Sequence, residues 1–236
     1  MGAGFQQPTT QQGGEASSLA DVFKVLYEPG AVFERVRERP TFLMPFVVIC
    51  VVQLALFFFN MPFMKAGMAA QMATRPAGGP DPSKFLWIGA IFVPLGIGLI
   101  LVIAGGLLWV LVSIFGGEAK FGTLMGVSAL AAIPSTILLS IVGTLVIHLQ
   151  GTGQITSMQD LQPALGLDLL IPAHGFLGAV LKGINPFSIW GLVLTAIGVS
   201  TTHRLSKSTG YVVATVSLVI GLCIAGVFGA IGNRGG

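Results

Sequence analysis

The sequence predicts an all-α, polytopic membrane protein with five transmembrane helices, led by a short amphipathic segment. Three observations carry that prediction. Charged residues make up 9% of the chain against 53% apolar, whereas soluble domains run to about 25% charged. The mean hydropathy is +0.87. The 12 Lys and Arg and the 9 Asp and Glu gather in clusters, separated by uncharged runs long enough to cross about 30 Å of hydrocarbon. A charge at mid-span costs roughly 2.5–3.5 kcal/mol, so these runs are spans. A water-soluble body of 236 residues could not cover its surface with so few charges.

Residues 1–17 are mainly Gln, Thr, Gly and Ser, and are expected to be disordered. They hold no apolar core of a signal peptide, so the first span is expected to be its own uncleaved insertion signal. Residues 18–40 form the amphipathic segment. Ser18-Leu19-Ala20-Asp21 has the shape of a capping box, and Leu19, Val22, Phe23 and Leu26 share one helical face. Glu28-Pro29-Gly30 breaks that helix, and Val32, Phe33 and Val36 continue as a second apolar face up to Pro40. Two short helices edged with arginines are expected to lie in the headgroup plane and orient the first span. The functional alternative is that they dock a cytosolic partner.

The membrane domain, 41–231, divides into spans at 41–59, 85–115, 123–149, 185–202 and 211–231. The second is 31 residues, about 46 Å at 1.5 Å per residue. It must tilt, kink at Pro94 or start among the headgroups; two short helices packed as a hairpin is the rival arrangement. In the loop before it, Met61, Met64, Met68 and Met72 lie on one side of a helix. Thioethers select cuprous ion, but methionine also fills interfacial helices, and no Cys or His stands in that loop.

The third span carries Ser128, Ala132, Thr136, Ser140, Thr144 and His148 at intervals of four, and the fifth repeats the pattern with Ser217, Gly221, Ala225 and Gly229. Small residues at this spacing let helix backbones approach closely. The stripes are expected to be packing seams within the chain, with an oligomer interface or a polar conduction path as alternatives. The fourth span opens on Asn185, a good N-cap, and Pro186, suited to the first helical position. Trp190 fits an aromatic belt at one interface, and Arg204 and Lys207 mark the other.

Orientation follows from Lys and Arg. With the N-terminus in the cytoplasm the inner side holds seven against five outside. Arg35, Arg37 and Arg39 abut the first span, where positive charge weighs most. A net charge of +3 argues for no nucleic-acid partner. Cys50 and Cys223 fall inside spans, away from disulfide chemistry.

The chemistry is sparse. No span holds Asp, Glu, Lys or Arg at mid-depth, which counts against coupled transport. Asp160, Asp168 and His174 share a loop without the spacing of a metal motif. Ser128 sits in no G-x-S-x-G, and no phosphate loop, dinucleotide fingerprint or H-E-x-x-H occurs. No cofactor and no enzyme activity are expected.

Three stretches, in order, resemble the Yip family (Ypt-interacting protein) of integral membrane proteins, and its bacterial branch in particular. The first is DVFKVLYEPGAVFERVRERP, with Pro29, Phe33 and Pro40. The second is GGEAKFGTLMGVSALAAIPSTI, with Gly116, Gly117 and a mid-helix Pro134. The third is NPFSIWGLVLTAIGVSTTHRLSKSTG, with Asn185, Pro186, Phe187 and Trp190. The resemblance implies five spans, a cytoplasmic N-terminus and a non-enzymatic role. Eukaryotic relatives of this kind bind small GTPases in membrane trafficking through an Asp-Leu-Tyr-Gly-Pro motif. Here it is echoed as Val25-Leu26-Tyr27-Glu28-Pro29, and the replaced Asp and Gly weigh against GTPase binding. The expected role is a scaffold or adaptor in a bacterial cytoplasmic membrane, or in a Golgi or ER endomembrane if the source is eukaryotic. Its partners would be the lipid bilayer, other membrane proteins or itself. A permease or transporter subunit using the polar face of the third span is the alternative.

Overall fold

A computed structural model describes residues 14–73 and 85–232. Among them every regular element is helical. The α-helices are α1 Gly14–Lys24, α2 Pro29–Glu38, α3 Leu43–Phe59, α4 Met61–Ala73, α5 Leu86–Ile114, α6 Phe121–Ala131, α7 Leu139–Gln150, α8 Gly175–Gly183, α9 Pro186–His203 and α10 Lys207–Gly232. Residues 1–13 of the expected disordered tail lie outside the described residues. Its remainder is corrected: α1 begins at Gly14, so Ser18 falls inside the helix and the box-like Ser18–Asp21 pattern does not mark its start.

Among the described residues three helices are long and apolar enough to cross a membrane: α5, the continuous rod Phe121–Gln150 and α10. The count rises to five when α3 with α4 and α8 with α9 are each taken as one bent span. α5 runs unbroken through Pro94 for 29 residues, about 43 Å, so the hairpin arrangement does not occur. α3 and α9, at 17 and 18 residues, reach only about 25–27 Å. At the same end of the bundle α4 turns off by 57° and α8 by 63°.

The rod Phe121–Gln150 is the central one, with 44% of its apolar window buried against 17% for α10. It is interrupted at Pro134–Leu138 by a π-helical turn. Proline supplies no N–H to the ladder, and a single π turn absorbs the mismatch without ending the helix.

Up-and-down connectivity follows from what touches what. α1 and α2 pack at the end of the bundle where α3 begins, α5 ends, α6 begins, α9 ends and α10 begins. The apolar face of α2 is not turned to headgroups as the sequence suggested. Val32, Phe33 and Val36 are fully buried in one cluster with Leu124, Val127 and Val199. The approach is close: a Cβ on Gly198 would meet the Phe33 ring at 3.0 Å, and one on Gly126 would meet Thr41 O at 2.9 Å. Burying a side chain such as Phe33 contributes about 1.5–3 kcal/mol. Arg35 donates from Nε to Asp21 Oδ1 at 3.0 Å and ties α2 to α1. Glu34, Arg37, Glu38 and Arg39 remain exposed.

The turn after α5 is a Schellman motif. Gly117 N–H donates to Val112 O at 3.0 Å and Gly116 N–H to Ser113 O at 3.3 Å, the paired bonds that close a helix C-terminus. Gly116 has φ +81, which glycine alone adopts freely.

Candidate functional site

The polar interior of the bundle is a seam between α3 and the rod Phe121–Gln150. α3 and its C-cap carry two side-chain amides, Gln53 and Asn60, seven residues apart and so on one helical face. Gln53 Nε2 donates to Thr136 O at 2.8 Å and Ser140 Oγ at 3.0 Å. Asn60 Nδ2 donates to Thr144 Oγ1 at 2.8 Å. The amides of α3 thus land on successive members of the four-residue stripe, and the first lands inside the π turn. Asn60 Oδ1 is buried without a partner. It borders a cavity of about 320 Å³ lined by Gln53, Asn60, Ser140, Thr144, Gln162 and Lys182 among others. Lys182 Nζ closes one side by donating to Gln162 O at 2.8 Å.

The cavity's lid is the segment between α7 and α8. Asp160 Oδ2 accepts from Thr156 N–H, Thr156 Oγ1 and Ser157 N–H at 2.8, 2.9 and 2.8 Å. The Thr156 bonds foremost hold its carboxyl below the ordinary 3.8. His148 lies under the α3–α4 elbow, stacked on Phe59 at 4.3 Å and tilted against Phe63 at 4.4 Å. Asp168 bonds Gly166 N–H and His174 is exposed. The three residues weighed as metal ligands are therefore used separately, and no group of three His, Cys, Asp or Glu that could hold a metal occurs among the described residues. Met61, Met64, Met68 and Met72 are half-buried along α4.

The remaining residues singled out in the sequence fall in three places. Ser128 is buried and donates to Met125 O at 2.9 Å. Thr136 donates to Ala132 O at 2.7 Å. On α10, Ser217 and Gly221 border a groove of about 300 Å³ shared with Ala132, Gly191 and Thr195, and Ala225 is exposed. Gly229 differs: a Cβ there would meet Ala179 Cβ at 2.7 Å and Gly175 O at 2.8 Å. α10 also approaches α8 closely at Gly226, one position off the expected stripe, where a Cβ would stand 2.6 Å from the Phe176 ring. Asn185 and Ser188 form a reciprocal capping box, their backbone-to-side-chain bonds at 2.9 and 3.0 Å. Pro186 occupies the first turn of α9, Phe187 is half-buried and Trp190 is exposed. Pro29 opens α2, and Pro40 is exposed between α2 and α3.

Sequence reasoning missed Gln53, Asn60 and the Ser188 half of the cap. The signal for the first two was present, since isolated amides in an uncharged run need partners at membrane depth.

Helices of this length and lipid-compatible surface, packed around an internal polar seam, define a multi-pass helical membrane protein. The Yip1 domain profile matches residues 23–228, and the chain belongs to the Yip1 domain family. It is similar to membrane protein YknW of Bacillus subtilis strain 168, with 26% identity over 86% of this chain and 87% of that protein. No solved structure matches it significantly.

Proposed function

We propose that this protein is a non-catalytic scaffold or adaptor of a bacterial cytoplasmic membrane, with its N-terminus in the cytoplasm. The observation that supports this reading best is the way α1 and α2 are mounted. The apolar face of α2 and Val22 and Val25 of α1 are consumed by the bundle, Leu19 and Phe23 stay exposed, and Glu34, Glu38 and Arg39 are exposed on a backbone held by Phe33 and Val36. A partner would meet a rigid charged surface and would not have to order a floppy segment, which lowers the entropic cost of association. The hydroxyls of the bundle support the same reading. Those of Ser128, Thr136, Thr195, Ser200 and Thr202 donate to carbonyls three or four residues back, so none is set up as an activated nucleophile.

The test is in-cell photo-cross-linking from single positions. Probes at Glu34 and Glu38 should capture a defined protein neighbour, and a probe at buried Val36 should capture none. Capture of lipid alone from both exposed positions would refute the adaptor reading.

The cavity at Gln53 and Asn60 favours a second reading, a transporter subunit. Reconstituted liposomes separate the two: a scaffold gives no solute flux, whereas a transporter gives flux that Ser140→Leu blocks.

A further inference from the structure

At the end of the bundle where α1 and α2 pack, three separate segments bring cations to one pocket of about 330 Å³. α2 supplies Arg37, the turn between α5 and α6 supplies Lys120, and the residue after α9 supplies Arg204; Glu118, Thr202 and His203 complete the lining. Among the described residues the ion pair is Asp21 with Arg35, so Arg37, Lys120 and Arg204 have no carboxylate partner there. Three cations face the single carboxylate of Glu118. The helix ends do not absorb this excess. The C-termini of α2, α5 and α9 carry about −0.5 each and the N-termini of α6 and α10 about +0.5 each, a small sum beside three cations and one carboxylate.

The wall of the pocket is fixed. Lys120 N–H donates to His203 Nε2 at 3.2 Å, so that nitrogen carries no proton. His203 Nδ1 meets Thr202 Oγ1 at 2.7 Å, whose hydroxyl donates to Gly198 O at 2.7 Å. Ordered bonds on both ring nitrogens lock the imidazole edge-on between α9 and the α5–α6 turn. Arg204 stands in the left-handed region, at φ 52. It closes the C-terminus of α9 in a conformation that glycine adopts more readily.

We propose that this pocket binds a phosphoryl anion, carried either by an anionic phospholipid headgroup or by a soluble phosphate ester. Guanidinium groups present donors in a fork that fits phosphate oxygens two at a time, and two of the three cations are arginines. Phe115 and Phe121 flank the turn that carries Lys120, and both are exposed. They would lie against the acyl chains of a lipid whose headgroup enters the pocket.

The experiment uses the full chain in a neutral detergent, with bound lipid counted by native mass spectrometry and the thermal midpoint followed in parallel. Mixed micelles carry either phosphatidylglycerol or phosphatidylcholine; separate arms add inorganic phosphate or glycerol 3-phosphate without lipid. Wild type should retain phosphatidylglycerol over phosphatidylcholine. A response confined to phosphatidylglycerol places the anion on a lipid, and an equal response to glycerol 3-phosphate places it in solution. Arg204→Gly relieves the backbone while removing a cation, so it should fold at least as well as wild type yet bind the anion about fivefold more weakly. Arg37→Gln on the exposed face of α2 should do the same, and Lys65→Gln at the far end of the bundle should change nothing. Equal retention of both lipids with no response to either soluble phosphate would overturn the site. So would Arg204→Gly and Arg37→Gln variants that bind the anion as wild type does.

Discussion

Gln53 and Asn60 are both amides in the apolar run of α3, but they are not equivalent. Gln53 satisfies a carbonyl within the π turn and a hydroxyl beyond it. Replacing it with leucine leaves the Thr136 carbonyl with one partner fewer in a water-poor setting, a loss of about 1–3 kcal/mol. Asn60 gives one bond to Thr144 and keeps a buried oxygen unpaired. Asn60→Leu removes that orphan together with the bond, and Thr144 can turn its hydroxyl onto its own helix, so the change should stay within about 1 kcal/mol. Unfolding in mixed detergent micelles would show Gln53→Leu well below Asn60→Leu; the reverse order would mean that the seam is misassigned. Asp160 acts by charge. Its folded carboxyl lies below its ordinary value because Thr156 and Ser157 donate to it. The stability it lends the lid is therefore present above pH 3.8 and is lost as pH falls through the lower folded value. Hydrogen exchange at the Thr156 and Ser157 amides should be slow at pH 7, relative to intrinsic rates, and lose that protection in strong acid. In Asp160→Asn it should already be fast at pH 7.

Among the elements, α10 shows how far a stripe in a sequence can be interpreted. The interval-of-four pattern was legible, and so were the helices, because runs without charge leave few other structures open to a chain in lipid. Which side of the stripe touches the protein was not legible, since periodicity fixes a face and not its neighbour. Gly221 has nothing within 4 Å of a Cβ position, while a Cβ on Gly226 would stand 2.6 Å from the Phe176 ring. Gly226→Leu should therefore lower the thermal midpoint of the single chain, by an overpacking cost of about 1–3 kcal/mol. Gly221→Leu combined with Ala225→Leu should leave the midpoint in place and change oligomer size only if that face meets a second copy. Size-exclusion with light scattering on both variants separates internal from lateral packing. The same limit explains the lead-in helices. Val32, Phe33 and Val36 make an amphipathic face that suits a headgroup layer as well as a protein groove, and Gly126 and Gly198, more than 80 residues away, decide for the groove. The α3 amides were overlooked for a related reason, because their partners lie 83 to 87 residues along the chain.

At the scale of the whole molecule, the bends in the first and fourth spans set the number of crossings. α3 and α9 are short for a 30 Å core, so each needs either its bent neighbour or a locally thinned bilayer to finish the crossing. The contacts are those that full crossings would give. α1, α2, the Gly116-Gly117 turn and the link from Arg204 to Ser206 gather at one end, while α4, the lid segment and α8 gather at the other. A chain that failed to cross at α3 would put α2 at the opposite end from its partners on α9 and α6, breaking the cluster built on Phe33. Five crossings would place the two ends of the described chain on opposite sides, and the proposed cytoplasmic N-terminus rests on Arg35, Arg37 and Arg39 beside the first span. Fusing a fluorescent protein or a phosphatase before Gly14 and after Gly232 tests both statements. The N-terminal fusion should fluoresce and show no phosphatase activity, and the C-terminal one should do the reverse. Fluorescence at both ends would remove one crossing. Because α5, the central rod and α10 are long enough to span alone, the missing crossing would have to be α3 or α9, and the burial of Phe33 would then require a different packing of α2.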